Sequence, residues 1–388
     1  MKFNTLKAND FCDSVRDGTH DSPRKVEKGY KLITSKNIRE YGLDLENASE
    51  ISEEDFNKVN ARSLVEKNDI LYSMIGTIGL IHRVDYIPNY AIKNIGLFKI
   101  KDENKSKWLF YYLKTPKMRN YINSLLAGST QQYITLNNLR ELPIQVPENI
   151  SDMNKTLHIL ELIDKKITYN MHTNNNLYEI GKALYQEYFE NDKYTNNYEI
   201  KQLSEVTTNN RNKIDKSIEY KVLSAVNTGN LVLSDDYFDK QVYSKDIGKY
   251  LNVKKNDFAY NPARINIGSI GLNAFDYNCC VSPVYVTFSV DKDYIDFFDF
   301  YFKSKKFNAE VTLRASGSVR QALNYNDFGM IEIPYPSIEM INKFNNSYKT
   351  IKERINRNKA KIKNLEQLRD TLLPKLMNGE IDIDKIEI

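Results

Sequence analysis

The residues in this chain best suited to chemistry are too scattered to carry out catalysis together. His20, His82, His158 and His172 lack the spacing of metal ligands. The three cysteines, two of them adjacent (Cys279 and Cys280), form neither a disulfide framework nor a spaced metal set. His20, in Gly18-Thr-His-Asp-Ser22, has no serine or cysteine nucleophile to pair with and reads as a loop-shaping or partner-facing residue. Asn261-Pro-Ala-Arg264 shares only two letters with the Asn/Asp-Pro-Pro-aromatic loop that methylation of adenine requires. There is no phosphate-cradling glycine loop with its lysine. Gly76-Thr-Ile-Gly79 and Gly268-Ser-Ile-Gly271 are too short for a dinucleotide fingerprint. The expectation is a chain with no catalytic residue, no metal site and no cofactor of its own.

Other residues suit recognition of a polar polymer. Amides and guanidiniums can make paired hydrogen bonds to base edges in the major groove. In the first half the candidates are Thr19, His20, Arg24, Ser35, Lys36 and Asn37, with Thr130, Gln131 and Gln132 in a later polar loop. In the second half they are Arg211, Asn212, Lys213, Arg264 and Asn266, with Arg314, Arg320 and Gln321 around the matching late loop. Lysines and arginines mostly meet phosphate, which holds position without reading sequence. For any one of them the plainer reading is a solvated loop residue. Gln132 and Gln321 occupy matched places, and for that pair a scaffold hydrogen bond is slightly favoured.

The elements that would hold these loops are legible as a duplication. Lys67-Asn68-Asp69-Ile70 recurs as Lys255-Asn256-Asp257-Phe258, and Ile75-Gly76-Thr77-Ile78-Gly79 as Ile267-Gly268-Ser269-Ile270-Gly271. Gly128-Ser129 with Gln132 and a final Pro147 recurs as Gly317-Ser318 with Gln321 and Pro336. A repeat this long marks a duplicated domain and not a solenoid of short units. Within each copy, Asp69 to Ile81 and Phe258 to Asn273 read as short strands broken by glycines, and Lys107 to Leu126 and Tyr294 to Ala315 as amphipathic helices. Leu142 to Pro147 and Ile331 to Pro336 read as edge strands, because proline cannot donate to a ladder. Between the shared anchors the copies diverge strongly, at 17–38 and 209–230.

Each copy is followed by a long polar helix with a thin apolar stripe. Ile351, Ile355, Asn358, Ile362, Leu365 and Leu372 keep the four-and-three spacing of a coiled-coil seam, and Ile163, Ile167, Asn170, Leu177 and Leu184 repeat it. Lys352, Arg354, Lys359, Lys361, Lys363 and Arg369 read as the wet outer face. So narrow a stripe needs a partner helix, and the two are expected to pair with each other. Antiparallel pairing would relate the two globules by a pseudo-two-fold axis. Duplex DNA has that symmetry, and dimeric readers exploit it.

Composition agrees with this organisation. The chain has 388 residues, 41% hydrophobic and 12% aromatic, which is globular and too long for one ordinary core. No apolar run approaches a membrane span, and the first residues lack a signal-like apolar stretch. A reducing cytoplasm is the simplest home for three such cysteines. A net charge of +4 permits nucleic acid as a partner without requiring it.

These features together resemble the specificity subunits of type I restriction–modification systems over essentially the whole chain. The residues that carry the likeness are Asp17-Gly-Thr-His-Asp-Ser-Pro23, Tyr30-Lys-Leu-Ile-Thr-Ser-Lys36, Ser73-Met-Ile-Gly-Thr-Ile-Gly79, Asn261 to Gly271 and Leu365 to Ile381. The resemblance implies an α+β fold of two target-recognition domains (1–147 and 191–336). Spacer helices at 148–190 and 337–378 would pair as an antiparallel coiled coil, with a tail at 379–388. It implies binding to a bipartite, asymmetric site on double-stranded DNA. It also implies docking with two methyltransferase subunits and, in a full complex, with nuclease subunits. S-adenosylmethionine, ATP and Mg would then belong to those partners. The rival reading is a scaffold whose coiled coil joins two modules that do not read DNA.

Overall fold

The computed structural model describes residues 1–128, 132–191, 198–238, 241–314 and 322–383. The chain packs as two units, Met1–Asn170 with Ala360–Ile388, and Met171–Lys359. Each long helix therefore gives one end to each unit.

Both units use the same strand order. In the first, an antiparallel sheet runs Ser14–Asp17, Ile95–Lys99, Ile70–Ser73, Ile81–Arg83. In the second it runs Thr207–Asn209, Val286–Val290, Phe258–Tyr260, Ile270–Leu272. A second sheet in each unit contains one parallel pairing, Lys25–Ile33 beside Tyr90–Ile92 and Lys221–Val226 beside Cys279–Val281. The proline-bearing strands Pro143–Pro147 and Glu332–Tyr335 lie in two-stranded sheets, paired with Phe3–Lys7 and Glu199–Gln202. Every strand of such a sheet is an edge, so the missing N–H groups cost no ladder bond.

The repeated motifs are backbone turns. Asn68 and Asn256 take φ of 73° and 71°, a left-handed conformation that asparagine tolerates better than most residues. The carboxylates that follow are buried and close the same turn: Asp69 accepts from Glu66 N at 2.7 Å and Asp257 from Lys254 N at 3.1 Å. Burial raises both carboxyl pKa values, although Lys99, 2.8 Å from Asp69, pulls the first back. Gly76 and Gly268 also match, at φ 80° and 86°; at Gly268 a Cβ would lie 2.7 Å from the Asn227 carbonyl oxygen.

The expected single helices over Lys107–Leu126 and Tyr294–Ala315 are each broken in two. Glu103–Lys114 stops at Thr115 because Pro116 drives the residue before it into extended backbone. Thr115 then caps Pro116–Ser124 by accepting from Met118 N at 3.3 Å. In the second unit Ser304 does the same for Lys305–Arg314, accepting from Phe307 N at 3.1 Å. Trp108 is fully buried, and its indole donates to the Gln145 carbonyl at 2.7 Å, tying helix to last strand. Tyr294 makes the corresponding tie to the Pro336 carbonyl at 2.9 Å.

The long helices run Ile150–Phe189 and Ile338–Met377, 40 residues each. Their ends are core elements. In the first unit Met153, Leu157 and Leu160 join Leu373, Leu376 and Met377 in one buried cluster. In the second, Tyr185 and Phe189 join Ile341, Phe344 and Tyr348. There the helix segments run antiparallel: Asn174 meets Asn358, Gly181 meets Tyr348, and Phe189 meets Phe344. Between these ends the stripe is thinner. Ile163, Ile167, Asn170 and Asn358 are buried, while Leu177, Leu184, Ile351, Ile355, Ile362, Leu365 and Leu372 are half-buried. Asn358 donates to Asn174 at 3.0 Å, whereas Asn170 turns back to the Lys166 carbonyl of its own helix at 2.6 Å.

Arg369 departs from its expected place on the wet face. It takes a seam position, is 6% exposed, and is held by Asp164 at 3.2 Å, Tyr41 at 3.3 Å and Asp370 at 3.0 Å. Tyr111 donates to the other oxygen of Asp164 at 2.8 Å, and Tyr41 donates to Glu366 at 2.6 Å. Removing one partner of such a pair strands the other away from water, whereas removing both does not. Arg369→Ala is therefore expected to destabilise the chain by up to about 3 kcal/mol, and Arg369→Met with Asp164→Leu by much less. Denaturant melts of the two variants test this; equal losses would remove the ion pair from the account.

Candidate nucleic-acid interface

The loop after Ser14–Asp17 is organised by one buried carboxylate. Asp17 is 5% exposed and accepts from Arg62 Nη2 at 2.5 Å and from His20 Nε2 at 2.9 Å. The other ring nitrogen of His20 lies 2.8 Å from Asn94 Oδ1, so the imidazole is held at both ends while its side chain stays 63% exposed. Lys93 donates to Ser22 at 2.5 Å, and Thr19 Oγ1 accepts from the Asp21 N–H at 3.1 Å. Beside this loop, Thr19, Ser22, Arg24, Lys58 and Arg62 line an open recess. Lys58 and Arg62 come from the helix Glu53–Ser63, which Ser52 caps by accepting from Asp55 N at 3.1 Å. Ammonium, guanidinium and hydroxyl groups gathered from a loop and a neighbouring helix are suited to phosphate contact and base-edge reading.

The equivalent loop of the second unit carries other side chains. Arg211, Asn212 and Lys213 are exposed after Thr207–Asn209; the Asn212 carbonyl accepts from Asn252 N at 2.8 Å, and Lys213 bridges to Leu251. Arg264 is exposed on the turn before the short helix Ile265–Ile267, where Asn261 Oδ1 accepts from Ala263 N at 3.1 Å. Asn266 is half-buried. Ser224, Tyr243, Lys249, Asn261 and Arg264 line a recess here too. Asp235 accepts from the Tyr243 hydroxyl at 2.7 Å and pushes its pKa up to about 12, keeping the phenol neutral.

In the first unit the residues flanking the late loop bond to the repeated glycine turn, and in the second Leu323 bonds to the segment just before that turn. Tyr133 bridges to Ile75 and Ala127, and Ile134 N donates to the Met74 carbonyl at 3.0 Å. Leu323 N donates to the Pro262 carbonyl at 3.0 Å. Gln132 is exposed beside the first of these junctions. Thr130, Gln131, Arg320 and Gln321 lie outside the described residues.

Of the remaining sequence candidates, Ser35 is half-buried and donates to the Asn94 carbonyl at 3.3 Å, which brings it to the His20 loop, and Lys36 is exposed. Asn37 does not fit a reading role. It is 6% exposed and spends its amide internally, with Oδ1 accepting from Thr34 N at 2.9 Å and Nδ2 donating to the Asp44 carbonyl at 3.1 Å. Arg314 is exposed, 3.9 Å from Glu310. Sequence reasoning missed Asp17, Lys58, Arg62 and Asn94 as parts of the first loop. Asp17 opens the Asp17 to Pro23 motif and was visible there, but only tertiary packing brings the other three to it. Among the described residues no group of metal-ligating side chains comes together, and no helix is long and apolar enough to cross a membrane.

Residues 2–179 match the family described as the type I restriction modification DNA specificity domain. The chain is 23% identical over 393 aligned residues to the type I restriction enzyme MjaIX specificity subunit of Methanocaldococcus jannaschii, covering 93% of this chain and 84% of that one. Its fold is similar to the crystal structure of a type I restriction–modification S subunit from M. genitalium, with a TM-score of 0.53 and 16% identity over 97% of this chain and 96% of the other. With the duplicated α+β frame and the long helices already described, residues 2–179 carry a type I restriction modification DNA specificity domain, and the chain as a whole is similar in sequence and fold to type I specificity subunits.

Proposed function

We propose that this chain is the DNA-reading, non-catalytic subunit of a type I complex. It reads two unlike half-sites separated by a fixed gap and directs adenine methylation by two partner methyltransferase subunits, with cleavage when nuclease subunits join. S-adenosylmethionine, ATP and Mg act in those partners. One observation carries the reading: two units that share the order of one antiparallel sheet and one set of turns present different side chains in the loop after that sheet's first strand, Thr19 and His20 in one and Arg211, Asn212 and Lys213 in the other. A shared frame with divergent loops suits two readers of different sequences. The helices set the gap, since 40 residues at about 1.5 Å each make rods of about 60 Å.

The direct test is long-read sequencing of DNA from cells expressing the chain with its methyltransferase partner, scored for methylated adenine. A split asymmetric motif with a constant gap is expected. A soluble complex that marks no motif would leave the scaffold reading in its place. Inserting one heptad into either long helix is expected to lengthen the gap or abolish methylation, and an unchanged gap would remove the ruler. Arg24→Ala with Lys58→Ala is expected to weaken binding alike on all sequences and to reduce the salt dependence of log affinity by about two, one for each phosphate no longer neutralised. A change of motif with the salt dependence intact would instead make these residues base readers.

A further inference from the structure

Two lysines hold the same place in the duplicated frame but have different surroundings. Tyr112-Leu-Lys-Thr115 matches Tyr301-Phe-Lys-Ser304, and Thr115 and Ser304 each cap the helix that follows. In the second unit Lys303 is paired with Asp299, one helical turn earlier, at 2.8 Å. In the first unit the residue one turn before Lys114 is Phe110, and the ammonium lies 4.0 Å from that ring's centroid. Among the described residues no carboxylate stands within ion-pair distance of Lys114. Asp164 is nearby but already holds Arg369 and Tyr111.

Lys114 is half-buried, and an ammonium partly withdrawn from water without a counter-charge is unfavourable unless something supplies one. Burial pulls the Lys114 pKa down to about 8; Asp164 and Glu40 act upward on it, and Arg369 and Arg119 downward. Lys114 lines a cavity together with Tyr72, Arg119, Asn123, Arg369 and the turn at Ile78 to Ile81. Glu40 and Asp370 line it too, but both face Arg369, at 3.8 and 3.0 Å. The cavity therefore offers the Lys114 ammonium, the Arg119 guanidinium and the Asn123 amide as donors, with Lys114 still lacking an anion.

We propose that this cavity is an oxyanion site that takes a phosphate group, which supplies the charge that Asp299 supplies in the other unit. The phosphate comes either from solution or from a DNA phosphodiester. The second source rests on the proposed DNA reading and the first does not.

The test uses the full-length chain at pH 7 and constant ionic strength, melted in chloride and in increasing inorganic phosphate. The wild-type Tm is expected to climb with the logarithm of phosphate concentration once the site begins to fill. Lys114→Met should melt higher than wild type in chloride and ignore phosphate. Phe110→Asp keeps the lysine, gives it the carboxylate found in the second unit, and should likewise ignore phosphate; if it does not fold, Lys114→Met carries the test. DNA binding measured against salt separates the two sources. A salt slope lowered by about one in Lys114→Met assigns the site to a phosphodiester, and an unchanged slope beside a phosphate response assigns it to free phosphate. The proposal is overturned if Lys114→Met responds to phosphate as wild type does. It is equally overturned if wild type ignores phosphate and the salt slope is unchanged by the substitution. A chain that responds to phosphate but binds no DNA keeps the oxyanion site and loses the DNA reading.

Discussion

A polar helix of forty residues with a thin apolar stripe is not stable by itself, and the structure is built around that constraint. Its answer is to bury the helix ends in the globular cores. Trp108 and Leu109 sit in one cluster with Leu157, Leu160 and Leu376, and Phe297 and Phe298 in another with Phe189 and Phe344. Helix stability then comes mainly from tertiary packing and not from propensity. The sheets behind these clusters hold the loops, so the placement of a loop such as that at His20 depends on helices far from it in sequence.

The two helix–globule junctions began as copies and have become chemically different. Where the first unit has Tyr111, Asp164 and Arg369 in a polar network, the matched residues of the second are Phe300, Lys352 and Gly181. Gly181 lets aromatic rings close in: a Cβ there would stand 2.6 Å from Tyr348 and 3.1 Å from Phe300. Lys352 turns to Asp296, at 2.5 Å. A polar junction and an aromatic one are poor substitutes for each other, because exchanging parts would bury an unpaired guanidinium or force rings into occupied space. The difference favours each helix end finding its own globule.

Much of the fold was legible because local rules wrote it. The Lys67-Asn68-Asp69 and Lys255-Asn256-Asp257 repeat survives because a left-handed asparagine and a carboxylate that caps its own turn tolerate few alternatives. The heptad spacing located both long helices. What escaped were facts set by tertiary contact. Arg369 read as a wet residue because its charge said so, and its partners at 41, 111 and 164 are remote in sequence. Asn37 looked like a reader until its turn was seen to use both ends of its amide. The break at Thr115 was signalled locally by Pro116, but the apolar periodicity on either side outweighed it. At the candidate interface the sequence offered the right residue types and could not show which of them share a recess.

The cysteines have a practical consequence for anyone who wants to watch this molecule move. Cys12, Cys279 and Cys280 are all buried free thiols, and burial lifts their pKa values to about 12, 11 and 12. Thiolates are therefore scarce at neutral pH, and the sulfurs are shielded from reagents in solution. A single cysteine placed on an exposed loop would be the dominant reactive thiol in the native chain. Fluorophores or spin labels could be attached there without first stripping the natural sulfur, and the onset of labelling at the three native positions would itself report unfolding.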